Sequence, residues 1–145
     1  MKGKYDESEL IVKVTTFSNP GAVYKINVDN YKVETLYKSQ LPDKTFNPDD
    51  YAQDQVFYKS KDGTKIPMFI VRKKSTLPSL AQKPDKPITT LLYGYGGFGV
   101  SQQPDFSPTN LILMRNLDAM YVVANIRGGG EYGDEWHESA TKSKK

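Results

Sequence analysis

A glycine-rich stretch that follows a short apolar run constrains this chain more than any other feature. Residues 89–93 read TTLLY, which is typical of a β-strand, and residues 94–99 read GYGGFG. Four glycines in six positions indicate a backbone that turns sharply or passes very close to another segment. Tyr95 and Phe98 stand within this turn, where large side chains cannot all be covered. We therefore interpret the turn as the rim of a functional site.

The composition excludes several classes of site. The 145 residues include 20 Lys and Arg against 17 Asp and Glu, and the formal net charge of +3 is too small to favour nucleic-acid binding. Since the chain has no cysteine, disulfides, thiolate zinc sites and a cysteine nucleophile are excluded. No run approaches the roughly 18 apolar residues of a membrane span, and the amino terminus has no apolar signal segment. We expect no metal, no cofactor, no membrane contact and a cytoplasmic location.

The first third of the sequence predicts a β-meander. Apolar and β-branched residues dominate positions 10–17, 22–28 and 32–37, and turn-forming residues separate these runs. Three short strands at about ten-residue spacing are typical of a propeller blade or of part of a sandwich. Residues 40–51 contain two prolines and three aspartates, which indicates a connection and a domain boundary.

A β-hairpin is predicted next. Asp62 and Gly63 separate two β-forming runs, residues 55–60 and 65–72, and Asp-Gly in this position is the strongest short hairpin signal. Pro67 lies within the second run. Because proline cannot donate to a strand ladder, it predicts an edge strand or a bulge.

The rest of the sequence predicts a strand, a helix and a second strand. The strand covers residues 88–93, the helix covers 109–117 with Pro108 near its first turn, and the second strand covers the apolar run 120–126. Together with the hairpin, this order predicts the opening of a mixed α/β sheet.

The glycine turn also matches the spacing G-x-G-x-x-G of dinucleotide-binding proteins. In those proteins a helix begins at the third glycine, so that its N-terminus meets the pyrophosphate. Here residues 100–108 read VSQQPDFSP, which cannot form that helix. The next strand also leads into Asn125 and Arg127 where an acidic residue is needed. We therefore reject dinucleotide binding.

Acyl-transfer chemistry fits the turn better. In α/β-hydrolases a glycine-rich loop after the third strand brings a hydrogen-bond donor to the carbonyl oxygen of the substrate. Loss of such a donor costs about 3 to 4 kcal/mol of transition-state stabilisation. The Tyr95 hydroxyl is a candidate donor, and Phe98 is a candidate wall of an apolar pocket. The competing interpretation is that both are ordinary packed aromatic residues at a strand end.

A second glycine cluster follows the apolar run. Residues 127–133 read RGGGEYG, and three successive glycines indicate unusual backbone angles or a close approach. We expect Arg127 and Glu131 to hold this loop by an ion pair. His137 is the only histidine, but it lies among polar residues with no identifiable nucleophile, so we assign it no catalytic role. The glycines of this cluster are Gly128, Gly129 and Gly130.

Three segments closely resemble the prolyl oligopeptidase family. They are YGYGGF at residues 93–98, ANIRGGGEYG at 124–133 and KDGTKIPMFIV at 61–71. The related oligopeptidase B group typically has Ser-Tyr where this chain has Gly97 and Phe98, and weaker similarity extends over nearly the whole chain. The resemblance implies a seven-bladed β-propeller that caps an α/β-hydrolase domain, and cleavage of short peptides after proline.

The resemblance also implies domains and roles. The fold would be of the mixed α/β class, with residues 1–44 as the last propeller blade and residues 45–145 as an incomplete N-terminal portion of the hydrolase sheet. The family's oxyanion tyrosine falls on Tyr95, and its proline-pocket phenylalanine falls on Phe98. Short proline-containing peptides would be the partners. The glycines that would shape the turn are Gly94, Gly96 and Gly97.

The family's nucleophile has no counterpart in these residues. It stands in a Gly-Gly-Ser-Asn-Gly-Gly elbow, whereas none of the serines here lies in a G-x-S-x-G context. The family also continues Lys-Gly-Gly after Trp-His, whereas this chain has Glu-Ser-Ala at residues 138–140. We therefore expect a fragment that is inactive alone and whose partner is the remainder of the peptidase. The alternatives are a non-catalytic β-rich module that binds peptides or partners through unpaired strand edges, and a chain without a stable fold.

Overall fold

The computed structural model describes residue 4 and residues 6–142, and these divide into two compact units. The first unit contains the described residues up to Pro48 together with Pro104–Ser107. The second contains Asp49–Gln103 and the described residues from Pro108 onward. A β-meander lies in the first unit and a mixed sheet in the second. The predicted fold class, mixed α/β, is confirmed.

The first unit is built on an antiparallel meander, as predicted. Its three strands lie in the order β1-β2-β3. Lys25, on the central strand, bridges Glu9 at 3.2 Å and Glu34 at 3.5 Å, so one cation links all three strands. The strands are β1 (Glu9–Val14), β2 (Ala22–Asn27) and β3 (Val33–Lys38).

The second unit is built on a four-stranded sheet in the order β4-β5-β7-β6. The predicted hairpin forms β4 and β5, which pair antiparallel, and β5 pairs antiparallel with β7. By contrast, β6 and β7 are parallel, as expected when a helix connects them. The strands are β4 (Tyr51–Lys59), β5 (Lys65–Lys73), β6 (Thr90–Gly94) and β7 (Met120–Ala124).

Two α-helices accompany this sheet. The first, α1 (Pro108–Leu117), begins at the predicted proline and buries Leu111 and Met114. The second, α2 (Gly133–Glu138), follows the second glycine cluster, and a short 3₁₀ turn at Pro48–Asp50 precedes β4. Within residues 4 and 6–142, no helix is long and apolar enough to cross a membrane.

The prediction that Pro67 marks an edge strand or a bulge is wrong, since β5 lies between β4 and β7. Pro67 pairs with Phe57 of β4 and lies just outside the first β5–β7 pair, which joins Met68 to Ala124. There the Asn125 N–H donates to the Pro67 carbonyl oxygen at 2.9 Å. Proline lacks an N–H, so the end of the β5–β7 ladder is where it removes the fewest hydrogen bonds.

A buried arginine ties the loop after β5 to the sheet. Arg72 is only 4% exposed. Its Nε donates to the Leu77 carbonyl oxygen at 2.7 Å and its Nη2 donates to that of Pro78 at 3.3 Å. Its Nη1 forms an ion pair with Asp54 on β4. Because a guanidinium stays charged and carries five donors, its burial depends on these acceptors.

Replacing Arg72 should destabilise the second unit. In Arg72→Met, two loop carbonyls lose their donor and Asp54 loses its counter-ion, which should lower the free energy of unfolding by about 2 to 3 kcal/mol. Lys65→Met is the matched control, because Lys65 is an exposed cation on the same strand and its loss should change stability by less than about 0.5 kcal/mol. Urea unfolding followed by the fluorescence of Trp136, the only tryptophan, measures both. Equal midpoints for the two variants would contradict this role of Arg72.

Candidate functional site

The parallel pairing of β6 and β7 brings both glycine clusters to one edge of the sheet. The glycine turn, residues 94–99, continues directly from β6, and the triple-glycine loop, residues 127–133, begins three residues after β7 ends. Parallel strands end at the same edge, and open α/β sheets bind their ligands there. The structure therefore brings together the two segments that the sequence singled out.

The two segments touch through their backbones. Gly96 and Gly128 have φ angles of +58° and +99°, which favour glycine. A Cβ on Gly128 would collide with the Gly96 carbonyl oxygen, and one on Gly96 would collide with the Ile126 side chain. A Cβ on Gly130 would likewise collide with the Gly99 carbonyl oxygen. Glycine is needed here for space as well as for conformation.

The other predicted loop glycines lie around this contact. Gly94 is the last residue of β6 and pairs with Ala124 of β7. The Gly97 carbonyl oxygen accepts the Val100 N–H at 3.0 Å and closes a tight turn. Gly129 lies directly against the Glu131 carboxylate, which a Cβ would displace.

Phe98 occupies the strained tip of the glycine turn. Phe98 and Gly99 are the central residues of the tight turn, and their φ angles are +54° and +67°. A non-glycine residue in this region costs about 1 to 2 kcal/mol, yet Phe98 is 87% exposed. Packing within the described residues does not account for a ring so exposed. Strain that presents an exposed apolar ring favours a binding role over an ordinary packed position.

Tyr95 lies beside this ring. It follows the last residue of β6 and is 43% exposed. The ring centroids of Tyr95 and Phe98 are 6.5 Å apart, and the ring planes are tilted by 34°. One turn therefore presents a hydroxyl group and an apolar ring close together. The oxyanion role of Tyr95 and the pocket role of Phe98 stay predictions.

Arg127 does not pair with Glu131, so the predicted ion pair is wrong. Its Nη1 lies 2.6 Å from Asp62 Oδ2 and 3.3 Å from Thr64 Oγ1, both in the turn of the β4–β5 hairpin. This pair ties the hairpin turn to the triple-glycine loop. Sequence reasoning missed it, because no local signal connects positions 62 and 127.

Glu131 instead binds the segment that follows the glycine turn. Its Oε1 accepts the Gln102 backbone N–H at 3.0 Å and the Asn125 side-chain amide at 3.2 Å, and that amide also donates to the Gln102 carbonyl oxygen at 2.8 Å. Asn125 is 2% exposed. Among the described residues, the buried atoms Asn125 Oδ1 and Glu131 Oε2 have no hydrogen-bond partner. Sequence reasoning gave Asn125 no role, although a polar residue directly after a buried strand is a signal.

His137 contacts both glycine segments. It lies on α2 and is half-buried. Its Nδ1 lies 2.7 Å from the Gly128 carbonyl oxygen and 3.1 Å from the Gly99 nitrogen. Sequence analysis assigned this histidine no catalytic role, and the structure gives it backbone partners within the site.

A shallow cleft of about 300 Å³ adjoins the triple-glycine loop. Tyr132 and Trp136 form one wall, with their ring centroids 5.2 Å apart. Its lining does not include Tyr95 or Phe98, so the candidate chemistry lies outside it. The lining residues are Thr64, Arg127, Tyr132, Glu135, Trp136 and Ser139.

The hairpin end of the site has an unusually acidic carboxyl group. The pKa of Asp62 is lowered from 3.8 to about 2, chiefly because the Thr64 N–H and hydroxyl donate to the carboxylate, and then because of Arg127. A lowered pKa means that ionised Asp62 stabilises the fold fully above pH 3.8 and that this contribution is lost as the pH falls through about 2.

We expect the Asp62 carboxyl group to titrate with a midpoint near pH 2 when it is followed by ¹³C NMR. Thr64→Val keeps the side-chain shape but removes the hydroxyl donor, and Arg127→Gln removes the cation, so each variant should raise the midpoint. Asp62→Asn identifies the signal by its disappearance. A midpoint near 4 that neither variant moves would show that these contacts do not form.

The chain is similar to prolyl oligopeptidases in sequence. Residues 104–145 match the model of the prolyl oligopeptidase family. The chain is 46% identical over 143 residues to a prolyl endopeptidase of Elizabethkingia miricola, and the alignment covers 99% of this chain and 19% of that protein. The chain thus spans about a fifth of the length of the relatives it matches.

The chain is also similar to solved structures of prolyl oligopeptidases in its fold. A structure from a study of inter-domain dynamics in two prolyl endopeptidases superimposes with a TM-score of 0.80 at 41% identity, over 99% of this chain and 20% of that one. Prolyl oligopeptidase B of Galerina marginata, bound to a 35mer hydrolysis and macrocyclization substrate, superimposes with a TM-score of 0.84 at 36% identity, over 99% of this chain and 19% of that one. Sequence and fold therefore agree that almost all of this chain is similar to one segment of the prolyl oligopeptidases.

Proposed function

We propose that this chain is part of a serine-type endopeptidase that hydrolyses short peptides on the carboxyl side of proline. The observation that carries the proposal is the glycine turn, where a strained backbone presents the exposed Phe98 ring 6.5 Å from the Tyr95 ring. A proline side chain is compact and apolar, so an aromatic face is a suitable surface for it. The names of the relatives, which include prolyl endopeptidases, support the same substrate class.

In this proposal Tyr95 acts in the chemical step and Phe98 acts in binding. Attack on the scissile carbonyl places negative charge on its oxygen, and the Tyr95 hydroxyl donates a hydrogen bond to that oxyanion. Phe98 holds the proline ring beside the scissile bond. The nucleophile comes from outside residues 1–145, since no serine among them lies in a G-x-S-x-G context.

We propose that residues 1–44 are the last blade of a β-propeller and that residues 45–145 begin the hydrolase domain. The three-stranded meander supports the first assignment, and the mixed sheet with a parallel β6–β7 pair supports the second. The division of the structure after Pro48 supports a boundary close to residue 44. A cytoplasmic location is part of the proposal.

A non-catalytic module that binds a partner is the second candidate, and the exposed strand β6 favours it. Leu92 on this strand is 65% exposed, and β6 lies at one side of the sheet. Exposed strand edges are a common route to pairing with another chain. The two candidates differ in whether Tyr95 affects the rate of a chemical step.

The 145-residue chain alone should not hydrolyse a fluorogenic Gly-Pro amide. Without a nucleophile, an oxyanion donor and a binding surface provide at most a small residual rate. The measurement is the fluorescence released by purified chain, with the prolyl endopeptidase of Elizabethkingia miricola as the positive control. Turnover that a serine-directed inhibitor blocks would contradict this expectation.

A chimeric enzyme tests the role of Tyr95. Residues 1–145 replace the matching segment of the same prolyl endopeptidase, so that the host supplies the nucleophile. Tyr95→Phe should lower kcat on the Gly-Pro amide by about 100- to 1,000-fold, because it removes only the hydroxyl donor. Tyr93→Phe is the matched control, since Tyr93 stands two positions earlier and is 42% exposed, against 43% for Tyr95. Equal effects of the two changes would rule out an oxyanion role for Tyr95.

A further inference from the structure

The Gly128 carbonyl oxygen joins the three parts of the site. It lies 2.7 Å from His137 Nδ1 on α2 and accepts the Gly99 N–H of the glycine turn at 3.1 Å. The Gly128 N–H donates to the Trp136 carbonyl oxygen at 3.0 Å. The N–H and the carbonyl oxygen of Gly128 therefore both contact α2, and the carbonyl oxygen also contacts the glycine turn.

Only one tautomer of the neutral imidazole satisfies these contacts. A carbonyl oxygen can only accept, so the short contact with Gly128 requires a proton on His137 Nδ1. The Gly99 N–H is itself a donor and cannot bond to a protonated Nδ1, although it lies 3.1 Å from that atom. Its acceptor is therefore the Gly128 carbonyl oxygen, which receives two donors. In the neutral imidazole, Nε2 is then the unprotonated nitrogen.

We infer that His137 is a positioning residue for the Phe98 side of the site. By donating its Nδ1–H to Gly128, it fixes the carbonyl oxygen that holds the Gly99 N–H. Gly99 is the residue next to Phe98 in the strained turn, so this contact sets the place of the Phe98 ring. The inference rests on the proposed function in one respect, since that function assigns the Phe98 ring to the proline of the substrate.

The Tyr95 side of the turn has its own supports. The β6–β7 ladder continues to the pair of Gly94 with Ala124, one residue before Tyr95. On the other side of Tyr95, Gly96 packs against the Gly128 backbone without room for a Cβ. Loss of His137 should therefore disturb Phe98 more than Tyr95. In kinetic terms it should raise KM and leave kcat nearly unchanged, whereas loss of the Tyr95 hydroxyl lowers kcat.

The first test is the protonation of the ring in the unaltered 145-residue chain. His137 is the only histidine, so its two ring nitrogens give the only imidazole ¹⁵N signals and need no assignment by mutation. We expect a protonated Nδ1 and an unprotonated Nε2 in the neutral ring. The opposite tautomer would overturn the inference, because Nδ1 could then not donate to Gly128.

The second test compares two substitutions by kinetics and by amide exchange. His137→Asn supplies a side-chain N–H close to the place of Nδ1–H, and His137→Phe keeps a ring without a donor. His137→Phe should speed exchange of the Gly99 amide by about tenfold in the 145-residue chain and raise KM about fivefold in the chimeric enzyme, with kcat within about twofold. His137→Asn should restore both values to within about twofold of the unaltered protein.

The outcomes separate this inference from the proposed function. If His137→Phe leaves Gly99 exchange and KM unchanged, or lowers kcat as strongly as Tyr95→Phe, the inference is wrong. A second outcome is that Tyr95→Phe has no effect on kcat, whereas His137→Phe still speeds Gly99 amide exchange and His137→Asn restores it. In that case the positioning role of His137 is supported and the proposed function fails. If the chimeric enzyme is inactive, the proposed function fails, and the tautomer and Gly99 exchange alone decide the role of His137.

Discussion

The contact between the Gly96 and Gly128 backbones is the constraint on which the candidate site depends. Neighbouring strands are about 4.8 Å apart, so the segments that leave the parallel ends of β6 and β7 start side by side. They pass each other with no room for a Cβ at Gly96, Gly128 or Gly130. A larger residue at any of these positions would separate the glycine turn from the triple-glycine loop, and the Phe98 and Tyr95 rings move with that turn.

A backbone contact between glycines has little directional energy, so side chains must hold the two segments in place. The Asp62–Arg127 pair is half exposed on the Asp62 side, and exposed ion pairs contribute little to stability. The Glu131 carboxylate is more shielded and accepts two hydrogen bonds, each of which contributes about 1.5 to 3 kcal/mol when the acceptor is charged. Glu131 and Arg127 therefore hold the loop through separate partners, although both were expected to act together as one ion pair.

The sequence predicted what depends on short-range chemistry. Asp-Gly marks the β4–β5 hairpin, Pro108 begins α1, and the apolar run before Asn125 forms β7. The sequence did not predict features that depend on the pairing of β5 with β7 or on side-chain partners far away in the chain. The prediction of an edge strand or a bulge at Pro67 was wrong because this residue lies at the end of the β5–β7 ladder. The position of that end is set by β7, a strand more than fifty residues away. The partner of Arg127 was misassigned for the same reason, since the nearest acidic residue in the sequence is not the nearest in space.

At Phe98, in the glycine turn, stability and the proposed binding role favour different residues. Phe98 has a φ of +54°, where glycine or asparagine is less strained, and its ring is almost fully exposed. By stability alone, a small residue would be preferred there, because an exposed aromatic ring gains little from burial. A strained and exposed phenylalanine is therefore poorly explained as a structural residue. The proposed binding role accounts for such a ring, because burial of apolar surface by a ligand would give it contacts that the described residues do not provide.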